Sequence, residues 1–88
     1  EAPEKLTAQV VEFVQQLRNR DLFKLPGVAE TIDWTNALIQ LDKIDLDPET
    51  VNSSLGVLLK YQEDIEKIQG SEAAQILEEV KSGIAAGG

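Results

Sequence analysis

Apolar residues return at the helical interval along the first twenty positions of the chain. Leu6, Val10, Phe13, Val14 and Leu17 are spaced i, i+4, i+7, i+8 and i+11, one stripe of a helix predicted from Lys5 to Arg20. Pro3 suits a first turn that needs no amide donor, Glu4 suits the positive end of the helix dipole, and Arg18 and Arg20 suit the negative end. The run from Asp21 to Gly27 breaks the period: Pro26 disfavours helical geometry at Leu25, and Pro-Gly is a turn signal. Leu22, Phe23 and Leu25 are too apolar for a solvated loop, so this connector is expected to pack across the helices.

A second helix is predicted from Val28 to Leu41, with Val28, Ile32, Trp34, Leu38, Ile39 and Leu41 as its apolar positions and Glu30 and Asp33 in its first turns. Asp42 to Leu46 interrupts it and presents acids beside two expected anchors, Ile44 and Leu46. A third helix opens at Asp47 as N-cap, Pro48 as first residue and Glu49 beside the dipole, and then carries a buried stripe of Val51, Leu55, Leu58 and Leu59. Gly56 inside it costs about 1 kcal/mol relative to alanine, which suggests close approach of a neighbouring backbone. Gln62 to Gln69 is helix-compatible, with Ile65 and Ile68 apolar and Glu63 and Lys67 paired at i, i+4; the pattern leaves open whether it continues the third helix. Gly70 is a stop and Ser71 an N-cap for a last helix, in which Ala74, Leu77, Val80 and Lys81 share a face and Gly83 is the terminator.

No segment has the alternation of a strand. The expected fold class is all-α, a small four- to five-helix bundle with a radius of gyration of about 12 Å. Residues 1–4 are expected to be a disordered start, 5–82 the domain, and 83–88 a flexible tail that includes Ala85-Ala86-Gly87-Gly88.

Composition narrows the chemistry. Eighty-eight residues suffice for one domain, which hides only about 60% of its unfolded surface. The chain has no cysteine and no histidine, which removes disulfides, thiol nucleophiles, imidazole bases and the usual zinc ligands. Sixteen acids against eight bases give a net charge of −8, a field that repels phosphate backbones and anionic lipid, so neither nucleic acid nor membrane is expected as a partner. No apolar run reaches the length of a membrane span, and a cytoplasmic location is the default. Residue 1 is Glu and methionine is absent, which points to a segment of a longer protein.

The motifs that would carry chemistry fail one by one. No Gly-Lys pair occurs, so no P-loop is present. Asp42, Asp45, Asp47 and Glu49 resemble a calcium loop only superficially: counted from Asp45, the required Gly at position six is Thr50 and the required Glu at twelve is Gly56. Capping and solvation account for these acids. Glu63, Asp64 and Glu66, like Glu78 and Glu79, read as a solvated face, with contact to a basic partner surface as the sharper alternative. Ser53-Ser54-Leu55 lacks the Asp that precedes the modified serine of acyl carrier proteins. Trp34 is expected in the core or a domain contact. Arg18, Arg20 and Lys24 form the one basic cluster; helix-end complementation leads, with phosphate contact or an inter-domain salt bridge as the alternatives.

The stretches Leu25-Pro26-Gly27-Val28-Ala29-Glu30-Thr31-Ile32-Asp33-Trp34 and Leu55-Gly56-Val57-Leu58-Leu59-Lys60-Tyr61-Gln62-Glu63-Asp64-Ile65 resemble the carboxy-terminal helical lid of MoxR-like AAA+ ATPases. The order of elements fits across about residues 5 to 82. The resemblance implies a lid over ATP and Mg2+ held by a preceding AAA+ core domain of the parent chain, with none bound by the lid alone. It implies contacts to neighbouring subunits of a hexamer in a chaperone-like machine, often working beside von Willebrand factor A domain proteins. It also implies that the start of the second lid helix faces the phosphates, where many members carry a sensor arginine. Here Val28, Ala29, Glu30 and Thr31 fill that region without an arginine, and Glu30 and Thr31 are the nearest candidates for a nucleotide contact. A free-standing acidic helical adaptor is the competing expectation. An independent small enzyme is disfavoured, because no carboxylates group in a recognisable site.

Overall fold

The computed structural model describes residues 4–87, with side chains described through Gly83. Residues 1–3, which hold most of the expected disordered start and Pro3, lie outside the described residues, as does Gly88. Five helices follow one another among the described residues: α1 (Glu4–Leu17), α2 (Val28–Gln40), α3 (Pro48–Leu58), α4 (Gln62–Ile68) and α5 (Ser71–Gly87). No strand occurs among them, and no helix is long and apolar enough to cross a membrane. α1 packs against α5 and α2, α2 against α3, and α3 and α4 against α5, with a radius of gyration of 11.9 Å.

The α1 stripe turns inward as its spacing requires: Leu6, Val10, Phe13, Val14 and Leu17 are buried. The helix ends three residues short of Arg20, because the amides of Arg18, Asn19 and Arg20 bond to carbonyls three residues back and tighten the chain into a turn. Arg20 then reaches across to Glu72 at the start of α5, 2.6 Å away, so its partner is a carboxylate rather than its own helix end.

Trp34 of α2 is fully buried, its ring 5.3 Å from that of Phe13. The indole N–H donates to Ser54 Oγ at 2.7 Å, and that hydroxyl donates to the Thr50 carbonyl at 2.7 Å, so an inward-pointing polar atom of the largest side chain is satisfied within the core.

Two loops are held by buried polar side chains. In the α2–α3 loop, Leu46 is buried as expected, but the second expected anchor, Ile44, is exposed. The anchoring comes from Gln9 of α1 instead. Its carbonyl oxygen accepts the buried Leu46 N–H at 2.8 Å and its amide donates to Asp45 at 2.6 Å, while Lys81 of α5 meets the other oxygen of Asp45 at 3.2 Å. In the α1–α2 connector, Asp64 of α4 does this work: only 2% exposed, it accepts the N–H groups of Phe23 at 2.9 Å and Lys24 at 3.2 Å. Asp64 therefore departs from the solvated face expected of the Glu63-to-Glu66 run, while Glu63 and Glu66 keep to it. Leu22 packs partly on the core, but Phe23 and Leu25 are exposed, since α4 grips the backbone of the connector and not its side chains.

Asp47 caps α3, accepting the N–H and the hydroxyl of Thr50 at 2.8 Å each, and Val51, Leu55, Leu58 and Leu59 are buried. Leu59 and Tyr61 are extended, so α4 is a separate short helix. Gly56 does not meet a neighbouring backbone as expected: it is exposed, and a Cβ built there finds no atom within 4 Å. With open space and helical geometry, Gly56→Ala is expected to stabilise the chain by about 0.5–1 kcal/mol, read as a higher urea midpoint at unchanged slope. A lower midpoint would contradict the open environment.

Gly70 adopts φ +79°, a left-handed conformation that glycine takes without strain, and its N–H donates to Asn52 at 2.9 Å. Its carbonyl receives the Ala74 N–H, so Gly70 stands at the cap and Ser71 is already helical, and α5 starts one residue earlier than expected. The buried face of α5 is correspondingly Ala73, Ile76, Leu77 and Val80, with Ala74 exposed. α5 continues through Gly83, the expected terminator, as far as Gly87, since one glycine costs a packed helix about 1 kcal/mol and does not by itself end it.

Candidate docking surface

Glu30 and Thr31 lie together in the first turn of α2, and both are engaged in building it. Glu30 accepts the Gly27 N–H at 2.9 Å, and Thr31 donates its hydroxyl to the Gly27 carbonyl at 2.8 Å. Donation from its own backbone N–H and then from that of Gly27 holds the Glu30 carboxyl below its usual value, and Lys60 of the α3–α4 junction stands 3.8 Å from it. The amide end of α2 thus already carries a carboxylate. An incoming phosphate would have to displace Glu30 and then sit beside its charge. The residues present do not fit a phosphate at this position.

The remaining polar candidates do not assemble a site. Asp45 is tied to Gln9, whose donation is the main reason its carboxyl lies below the usual value, with Lys81 and Lys5 adding to the effect. Asp47 is lowered first by the backbone N–H of Thr50 that it caps. Among the described residues no three carboxylates converge as a metal site, and no buried side-chain nitrogen or oxygen lacks a partner. Ser54 is committed to Trp34, which excludes it as a modification site while the core is intact. Arg18 is exposed at the end of α1.

What the sequence did not reveal is an apolar concavity between α1 and α2. Val28 is 78% exposed, Ile32 53% and Val11 48%. With Val14, Pro26 and Thr31 they line one depression, and a second, sharing Val11, Thr31 and Ile32, runs on past Thr7, Thr35 and Ile39. Leu41, just past the end of α2 at Gln40, is exposed, and Val28 and Ile32, expected with it among the apolar positions of the helix, are surface residues as well. The reason is geometric: α2 carries two apolar stripes, Trp34–Leu38 and Val28–Ile32, and α1 and α3 cover only the first. A signal was present, since Val28 and Ile32 sit out of phase with Trp34 and Leu38, and Val11 adjoins the α1 stripe without belonging to it.

No protein-family model, curated protein or solved structure matches the chain.

Proposed function

We propose that this chain is a docking module without catalysis of its own, the lid domain of a larger MoxR-like AAA+ ATPase of the kind its sequence resembles. The observation that supports this reading is the uncovered apolar surface of Val11, Val28 and Ile32 on α1 and α2, a face suited to burial against another domain. In this reading ATP and Mg2+ are held by the preceding AAA+ core domain, and the surface packs on that core or on a neighbouring subunit of a hexamer. Glu30 and Thr31 shape the start of α2 and leave the phosphates to the core. Von Willebrand factor A domain proteins would meet the assembled machine, not this groove.

Two measurements test the reading together. The reading frame upstream of Glu1 is expected to encode a P-loop-bearing α/β domain, and an in-frame stop there would sink the lid assignment and leave the adaptor. In the intact protein, Ile32→Asp is expected to lower ATP turnover about tenfold, as loss of a central interface contact does, while the melting temperature of the isolated domain stays the same. Unchanged turnover would show that the groove is not the docking face.

A further inference from the structure

On the side of the molecule formed by the α1–α2 connector and the α3–α4 junction, Phe23 and Tyr61 stand exposed, at 76% and 49%, with ring centres 6.0 Å apart and planes at 73°. These are two of only four aromatic side chains in the protein. Neither contributes to the core. We propose that this pair, with the carboxylates of Asp21 and Glu63 beside it, is a docking site for an arginine-bearing peptide segment of a partner protein.

Three features support the assignment. The first is that the ring is presented from a fixed backbone. The Phe23 and Lys24 amides are both held by the buried Asp64 carboxylate, and the Asp21 carbonyl receives the Lys67 ammonium. All three bonds bridge 40 or more residues, so the connector is locked in place while its most apolar side chain is left in water. An ordered exposed ring loses little rotamer freedom on binding, which is the property of a good anchor.

The second is charge. Two depressions that share Phe23 and Glu63 meet at this place: Asp21, Leu22, Asp64 and a single base, Lys67, complete the lining of one, and Tyr61 that of the other. Asp64 and Lys67 are occupied by the connector backbone, whereas the Asp21 and Glu63 carboxylates make no hydrogen bond or ion pair among the described residues. Of the neighbouring bases, Lys60 is turned to Glu30, and Lys24 follows Phe23 in sequence without lining either depression. The lining therefore favours a cation and repels an anion, in keeping with a chain of net charge −8.

The third is the match of chemistry. A guanidinium is planar, weakly hydrated and able to stack on an aromatic face while donating to a carboxylate at its edge, and rings beside carboxylates meet both needs. An ammonium would gain the charge but not the stacking. This site lies apart from the α1–α2 groove and does not depend on the lid reading.

The test is a titration of the 15N-labelled chain with the peptide acetyl-Gly-Arg-Gly-Arg-Gly-amide, beside its lysine and glutamate counterparts. Saturable shifts are expected at the amides of Phe23, Lys24 and residues 61–63, strongest for the arginine peptide and absent for the glutamate one. Phe23→Ala and Glu63→Gln are each expected to weaken binding about threefold with unchanged circular dichroism, the scale of an exposed cation–π contact or surface ion pair. Both side chains are exposed, so folding is not at stake; Tyr61→Ser is a third variant of the same kind. Absence of saturation, shifts confined to the α1–α2 groove, equal binding of arginine and lysine peptides, or unchanged affinity in Phe23→Ala would each overturn the proposal.

Discussion

Trp34→Ala is expected to remove about 3–5 kcal/mol of folding free energy, the largest loss from any single truncation in this chain. A chain of this length commonly has about 4–13 kcal/mol in total, so the variant would lie near the edge of folding. The side chain is fully buried, packs on Phe13, and donates the one indole hydrogen bond to Ser54. Its removal takes away the apolar contact, leaves a cavity between α1, α2 and α3, and frees an acceptor in the core. Trp34→Phe restores most of the apolar contact but not the donor, and is expected to lose about 1–3 kcal/mol. Urea unfolding followed by far-ultraviolet circular dichroism reads both. A Trp34→Ala midpoint close to that of the parent would mean that the α1–α2–α3 packing described above is wrong.

Gln9→Leu is expected to cost about 2–4 kcal/mol, a large effect for a residue that looks like part of a polar helix face. Leucine fills the space, but the buried Leu46 N–H is left with no acceptor and Asp45 loses its shortest donor. The same variant changes the response to acid. In the parent, the folded state holds the Asp45 carboxyl below its usual value of 3.8, chiefly through Gln9. That contribution is therefore present above the unfolded value and is lost as pH falls through the lower folded one. Without Gln9 the Asp45 pKa moves up toward its ordinary value, so the variant should lose less of its remaining stability than the parent between about pH 5 and pH 2. An NMR titration of the Asp45 carboxyl gives the direct reading, and an unshifted midpoint would refute the assigned cause.

The helical class and most of the core were legible because they depend on local signals. The α1 stripe, the Asp47-Pro48-Glu49 start and the Val51-to-Leu59 stripe each sit within one element and need no knowledge of its neighbours. The errors occur where a second element decides. Val28 and Ile32 have the spacing of core residues, and only the positions of α1 and α3 determine which of the two α2 stripes is covered. Asp64 sits in an acidic run that reads as solvated, and its role depends on amides 40 and 41 residues away. Gln9 and Arg20 likewise meet partners far along the chain. For the functional site, the positions of Glu30 and Thr31 in one turn follow from sequence, but the closure of that turn by Glu30 and the uncovered α1–α2 face do not.

The pairing of the first helix with the last also sets a timetable for synthesis. The stripe of α1 shares its core with Ile76, Leu77 and Val80 of α5, and roughly fifty residues separate the two helices, an interval of about 3–10 s at ordinary translation speed. Over that interval Leu6, Val10, Phe13 and Leu17 have α2 beside them but not α5, which completes their enclosure. The core is therefore complete only once Ile76, Leu77 and Val80 have been added, and termination before Ile76 would yield a species prone to aggregation rather than a shorter folded bundle.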